Sequence, residues 1–479
     1  MSNLDKLRTR EDPEAVNRYM LLKKLGKKIF ADSHVVKTGE VNGEDILNAG
    51  RFLAEAITST NPPVWASWFE HVFIAQELGR RIGDATTEFL LLLHENGRLV
   101  TNAYLRNDYI NRRLLKEFGI PTNIIDEFFP VERFIRLAGE LELSDEQLAW
   151  KEGFSEDQKE KALAFFESLT NRQRITNLAD NLGKRNDKGL FDIQGFFQYL
   201  QTQEQRYKGE SPWTSENWSI PRRPGSAVLQ AFIVEKTLEW LQEKGVDIET
   251  ALRELDDYGP KFVIVARHGE LYNPNNILYN RDRVMKAEDI IHLSDYGKEQ
   301  MRILGQLISK RKFRVSSIVH SPSTRAVESK DELNKALGVE VDKMHELDDL
   351  DDVYAPGGYL IGMKLDEFVK QGGNAYEPIL WAKYNHEGIP SVAKRLERVF
   401  WQMAKSLKVG ETGVIVSHGD PIAIWIQNLI TGQVPLAENL RKGVYPNKGE
   451  AIVAIIDPQG NFFTHYILTD PSLKEGKMY

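Results

Sequence analysis

The sequence predicts two domains of different class: an all-α N-terminal domain, then an α/β C-terminal domain of three layers around a mostly parallel sheet. Three observations predict this. A chain of 479 residues exceeds what one ordinary core accommodates. Across residues 1–208 the apolar positions recur three and four apart, with hardly any period-two stretch. From Lys261 onward, short apolar runs alternate with amphipathic helical segments, the signature of strands crossing over through helices.

In chain order, "NGEDILNAGRFLAEAI", "WASWFEHVFIAQELGRRIG" and "SEDQKEKALAFFESLTNRQRITNLADNLG" read as helices. Residues 209–225, "GESPWTSENWSIPRRPG", are rich in Pro, Ser and Gly and read as a linker. A leading helix within 226–256 then opens the second domain, 226–479. "KFVIVA", "VSSIVHS", "VEVDKM" and "TGVIVS" read as strands. "SDYGKEQMRILGQLISKRK", "STRAVESKDELNKALG", "IPSVAKRLERVFWQMAKSL" and "DPIAIWIQNLITG" read as the intervening helices. The close, "AIVAIID-PQGN-FFTHYIL", reads as a hairpin that adds an antiparallel edge.

Composition narrows the function. Hydrophobic residues are 41% and charged residues 28%, a globular profile. The net charge of −8 offers no surface for nucleic acid as a whole, and none is expected as a partner. No apolar run approaches the roughly eighteen residues that a membrane span requires. The charged start, "MSNLDKLRTREDPEAVNRYM", lacks the apolar core of a secretion signal. With zero cysteines, disulfides and thiolate chemistry are excluded, and any metal must use His, Asp or Glu. A cytoplasmic protein without membrane contact is the expectation; oligomeric state is not readable.

Three strand ends share one chemical vocabulary. "VIVA" ends in Arg267-His268-Gly269, "SSIVHS" ends ahead of Pro322-Ser323-Thr324-Arg325, and "GVIVS" ends in His418-Gly419-Asp420-Pro421. A parallel sheet gathers carboxyl ends at one rim, together with free helix N–H groups. Two arginines, two histidines and helix N-termini suit a phosphoryl group, whose oxygens the guanidinium fork meets in pairs. A neutral imidazole among cations can attack phosphorus and hold the group covalently. Gly269 is expected to clear space for the ester.

These residues resemble the histidine phosphatase (phosphoglycerate-mutase-like) superfamily from about Lys261 to the C-terminus. The resemblance implies that His268 becomes the phosphohistidine, while Arg267, Arg325 and His418 grip the phosphoryl group. It also implies a carboxylic acid that protonates the leaving group and then activates water, with no metal needed. Leu271 stands where the family often has Thr. For the acid, Glu346 matches best within "KMHELDDLDDVYAPGG". Asp348 and Asp349 are rivals, and Asp420 and Glu270 also lie near the rim. Asp351 and Asp352 read, with their acidic neighbours, as solvated loop charge.

In the helical half, His71, His94-Glu95 and Asp180 lie on three successive helical segments. Their order resembles the HD phosphohydrolase superfamily, with Glu95 in place of the usual Asp. The resemblance implies a divalent metal, Mn, Fe or Mg, on His71, His94, Glu95 and Asp180. A buried core His71 and a helix-terminal His94 are the plainer readings.

The expected activity is hydrolysis of a phosphomonoester, a small phosphorylated compound or a phosphoprotein, with the helical domain in a regulatory or second phosphohydrolase role. Three alternatives remain: a mutase-type transferase, a non-catalytic phosphate-binding regulator, and a metal-dependent nucleotide phosphohydrolase in the N-terminal domain. Substrate identity lies in segments such as "LYNPNNILYNRDRVMKAED" and "YAPGGYLIGMKLDEF", whose shape the sequence does not reveal.

Overall fold

The computed structural model describes residues 14–62, 64–100, 107–185, 193–207, 225–277, 286–338, 343–353, 362–370, 387–470 and 473. The chain divides into two compact units, Met1–Gly259 and Pro260–Tyr479. The expected linker lies outside the described residues except for Gly225, as do 278–285 and 354–361 of the two segments thought to govern specificity.

Among its described residues the first unit contains helices and no strand. Local chemistry starts several of them: Asn42, Ser144, Ser155 and Thr170 each form a reciprocal capping box with the residue three positions on. The helix Ser226–Glu243 sits inside this unit and not at the head of the α/β domain. It is apolar on more than one face and must be covered on each. Ala231, Val234 and Leu241 pack with Ile74, Leu78 and Leu178, while Leu229 and Ile233 pack with Phe134, Phe165 and Phe166. Ile248, Leu252 and Leu255 complete the first of these clusters. The expected domain start at residue 226 therefore gives way to a division after Gly259.

The second unit holds a six-stranded sheet of β1 (Lys261–Arg267), β4 (Arg314–His320), β5 (Lys343–Glu346), β6 (Glu411–Ser417), β7 (Ala451–Ile456) and β8 (Phe462–Leu468). A separate pair, β2 (Leu271–Tyr272) and β3 (His292–Leu293), follows the rim and carried no sequence signal. The order across the large sheet is β5-β4-β6-β1-β7-β8. Its first four strands run parallel and the closing hairpin is antiparallel, as the alternation and the "PQGN" turn predict. Central strands are buried on both faces, which is why they are continuous apolar runs. Val263, Val265 and Ile415 pack with Leu396, Phe400, Ile422 and Trp425 of the helices Ile389–Ser406 and Gly419–Thr431. Among the described residues no helix is long and apolar enough to cross a membrane.

Candidate active site

Register brings the three motifs together. Arg267 pairs with Ser417 across β1 and β6, and His320 pairs with Val416 across β4 and β6. The ladder continues one residue past the strands, where the His268 N–H donates to the Ser417 carbonyl at 3.1 Å and the Ser321 N–H to the Val416 carbonyl at 3.0 Å. The residues that follow these level ends, His268 and His418, place their rings 5.3 Å apart. Arg325 joins them from the first turn of the helix Thr324–Leu337. His418 caps the helix Gly419–Thr431 in extended conformation, so that helix aims its N-terminus at the same point.

All four side chains are buried: Arg267 is 8% exposed, His268 4%, Arg325 3% and His418 1%. Burying a cation is costly unless it is paired or hydrogen-bonded. The backbone and neighbours satisfy only part of each. The Arg267 Nη1 donates to the Pro446 carbonyl at 3.1 Å, and its guanidinium lies over the Tyr445 ring. The Arg325 Nη2 donates to Asp352 Oδ2 at 3.1 Å, and His418 Nε2 meets the Ser321 hydroxyl at 2.8 Å. Left without a partner are Arg267 Nε, Arg325 Nη1 and His418 Nδ1. Two buried guanidinium N–H groups short of an acceptor, beside an unsatisfied imidazole nitrogen, suit an anion.

The His268 Nδ1 lies 2.8 Å from its neighbour's carbonyl, Gly269 O, so Nδ1–H donates there and Nε2 keeps its lone pair. Burial, with His418, Arg325 and Arg267 around it, holds the His268 imidazole well below its ordinary value. Burial and Arg325 do the same for His418, against a pull upward from Asp351. Both rings are neutral at neutral pH.

The acids are placed differently from expectation. Glu346 ends β5, opposite His320, and is exposed. Asp348 is exposed, and Asp349 pairs with Arg398 at 2.6 Å. Asp420 accepts from the Tyr445 hydroxyl at 2.7 Å, and Glu270 from the Ser294 hydroxyl at 3.2 Å. It is Asp351 and Asp352, expected to be solvated charge, that reach the pocket. Asp351 Oδ1 accepts from the Ser323 and Ser321 hydroxyls at 2.8 and 3.3 Å, and Asp352 Oδ2 lies 3.6 Å from His418 Nδ1. Their loop is held by Arg395, which donates to the carbonyls of Asp349, Asp351 and Asp352 at 2.6, 2.7 and 3.0 Å. The Ser417 hydroxyl fixes the Leu350 carbonyl at 2.7 Å.

Gly269 also has a different reason to be glycine. A Cβ there would stand 2.2 Å from the Gly297 carbonyl oxygen. It permits close approach of the helix Asp295–Lys310 to the rim.

In the helical unit the structure does bring His71, His94, Glu95 and Asp180 together, with one ligand-capable atom from each inside a mutual 4.8 Å. His71 Nε2 lies 3.0 Å from Asp180 Oδ1 and 3.0 Å from His94 Nε2. Each ring directs Nδ1 at a backbone carbonyl, His71 at Gly183 and His94 at Leu91. Glu95 accepts from the Trp68 indole and from Arg98. Burial lowers the His71 value; at His94 the Asp180 carboxylate outweighs burial and raises it.

The α/β site thus gathers two arginines and two histidines at one rim of the sheet, and comparison with known proteins gives the class of its domain. Residues 263–461 match the histidine phosphatase superfamily (branch 1), and this region is a domain of that superfamily. Among solved structures, the chain is similar to the alpha-ribazole phosphatase of Shigella flexneri, at 18% identity over 44% of this chain and 96% of that one, TM-score 0.33. It is also similar to a mycobacterial glucosyl-3-phosphoglycerate phosphatase, at 17% identity over 45% and 98%, TM-score 0.34. A third is the phosphoserine phosphatase of Entamoeba histolytica, at 22% over 42% and 93%, TM-score 0.31. No curated protein matches significantly.

Two outcomes are expected. Gly269→Ala forces backbone apart at Gly297 and destabilises the second unit by about 1–3 kcal/mol, read as a lower denaturation midpoint. On titration followed by NMR, the His268 ring stays neutral as pH falls through about 6.5, the value of a free imidazole. Because the unfolded chain takes up that proton first, the stability linked to this histidine is complete above about 6.5 and declines below it.

Proposed function

We propose that the α/β unit is a phosphatase that hydrolyses a phosphomonoester through a phosphohistidine on His268. The observation that carries this is the pair of unpartnered buried donors, Arg267 Nε and Arg325 Nη1, set with His418 around a neutral imidazole with a free Nε2. The donors sit where the negative charge of a transferring phosphoryl group needs them and require no reorganisation. The His268 Nε2 lone pair attacks phosphorus, a P–N bond forms, and the P–O bond to the leaving group breaks. A carboxylic acid gives its proton to the departing oxygen. The resulting carboxylate takes a proton from water, whose oxygen attacks phosphorus. The P–N bond breaks, inorganic phosphate leaves, and His268 is restored.

For the acid, the geometry favours Asp352 over Glu346. Asp351 is occupied by two serine hydroxyls, whereas Asp352 Oδ2 faces Arg325 and His418 where the phosphoryl group would lie. Phosphoryl oxygens compete with that carboxylate for Arg325 and release it for proton exchange. The substrate is a small phosphorylated compound or a phosphoprotein.

A specific observation favours a second site, a divalent metal centre in the helical unit. With His94 deprotonated and both Nδ1–H groups donated to carbonyls, two Nε2 lone pairs 3.0 Å apart stand beside two carboxylates. That donor set is fitted to a cation, and backbone carbonyls behind ligating imidazoles are the usual support. His71, His94, Glu95 and Asp180 would hold Mn, Fe or Mg, as in the HD phosphohydrolases. Such an ion supplies an activated water for phosphoryl hydrolysis. The unit would then regulate the phosphatase or act as a second phosphohydrolase.

A screen of sugar phosphates, nucleotides and phosphopeptides is expected to yield esters from which the protein releases inorganic phosphate and His268→Ala does not. Asp352→Asn should lower kcat about 10²–10⁴-fold, with Glu346→Gln changing it little. The reverse pattern would move the acid to Glu346. In equilibrium dialysis against Mn²⁺, the full chain should retain bound ion that His94→Ala and Asp180→Asn lose. Equal retention by all three proteins would sink the metal reading.

A further inference from the structure

Tyr445 belongs to no strand-end motif, yet it meets several parts of the site at once. The Arg267 Cζ lies over its ring, 5.2 Å from the centroid. Its hydroxyl donates to Asp420 Oδ1 at 2.7 Å, and Asp420 stands in the first turn of the helix Gly419–Thr431, which His418 caps. Tyr445 also packs against the apolar cluster of Val353, Ile389, Val392, Ala423 and Leu440, and Val353 directly follows Asp352. Arg441 approaches the same ring at 6.0 Å, the limit of such contacts.

Arg267 is buried, and its guanidinium is held by the Pro446 carbonyl at Nη1 and by this ring. A carbonyl fixes one nitrogen and leaves the plane free to turn about it; an aromatic face fixes the plane. The plane in turn decides where Nε–H points, and Nε is the nitrogen without an acceptor. Gly419 shows how tightly the parts are stacked. A Cβ there would stand 2.6 Å from the Tyr445 hydroxyl and 2.8 Å from both Cζ and Nε of Arg267. Arg267 Nε is therefore set beside the residue that follows His418. Burial, with the Asp420 carboxylate beside it, pushes the Tyr445 phenol up, so it keeps its proton and remains a donor to Asp420.

We propose that Tyr445 is a positioning residue of this site. Its ring sets the plane of the Arg267 guanidinium, and its hydroxyl ties that plane to the helix that His418 caps. Arg267 and His418 thereby keep one mutual geometry. This rests on the phosphatase reading for its catalytic meaning, but the positioning it asserts is read without turnover.

Two measurements on the full chain test it. In NMR, with Arg267→Lys used for assignment, the unaltered protein should show Arg267 Nε–H as a separate, slowly exchanging resonance. Tyr445→Phe, which keeps the ring, should retain that resonance, and Tyr445→Leu should lose it to exchange. In calorimetry with inorganic phosphate, affinity should fall about ten- to thirtyfold in Tyr445→Leu, the worth of a desolvated cation–π contact. In Tyr445→Phe it should fall about two- to threefold, the worth of the lost tie to Asp420. Thermal melting checks that each variant folds, and Tyr445→Met, which fills a similar volume, replaces Tyr445→Leu if that variant does not. Unchanged affinity and an unchanged resonance in the folded non-aromatic variant overturn the proposal and leave the phosphatase reading standing. A fast-exchanging Arg267 Nε–H in the unaltered protein overturns it without any variant. Tyrosine-dependent phosphate binding with no ester hydrolysed would leave Tyr445 as assigned and count against the phosphatase reading.

Discussion

The site depends on strands β1, β4 and β6 ending level. Because these run parallel and in register, the residues beyond Arg267, His320 and Ser417 emerge side by side. Guanidinium and imidazole groups from distant parts of the chain are thereby held within one pocket and kept from water. Folding must absorb the cost of burying such charges, and the all-apolar strands beneath supply the rigidity that permits it. Arg267 is fixed by the Pro446 carbonyl and the Tyr445 ring, and Gly419 leaves room for Arg267 and Tyr445, since a Cβ there would meet the Arg267 guanidinium at 2.8 Å and the Tyr445 hydroxyl at 2.6 Å. What the frame leaves unpaired is then the recognition surface.

Much of this was legible in the sequence because it is local. An apolar run followed by Arg267-His268-Gly269 or His418-Gly419-Asp420 carries its strand and its chemistry in adjacent residues. The same holds for Arg325, one helical turn past a strand end. Which carboxylates reach the pocket was not legible in that way. Asp351 and Asp352 belong to a run of near-identical acidic residues, and partners distant in sequence, Arg395 and Ser417, hold the loop so that these two face the pocket. Tyr445 was not legible for the same reason, since it belongs to no strand-end motif. The unit to which the helix Ser226–Glu243 belongs was not legible, because periodicity reports that a helix is buried and not against which neighbours.

The helical unit repeats the lesson at a second cluster. His71, His94, Glu95 and Asp180 are spread over more than a hundred positions, yet their donor atoms converge. Each histidine had a plain structural reading taken alone, as a core residue or a helix-end partner. The convergence of two Nε2 atoms on a shared carboxylate is what sequence could not display.

The central claim is covalent: phosphorus is carried by one imidazole in mid-reaction. An ester found to be turned over, prepared with ³²P in its phosphoryl group, should be mixed with the full chain and quenched within one turnover. Acid-labile, alkali-stable label on the peptide containing residue 268 is the predicted result. Turnover with no protein-bound label, or label confined to another residue, would contradict the account.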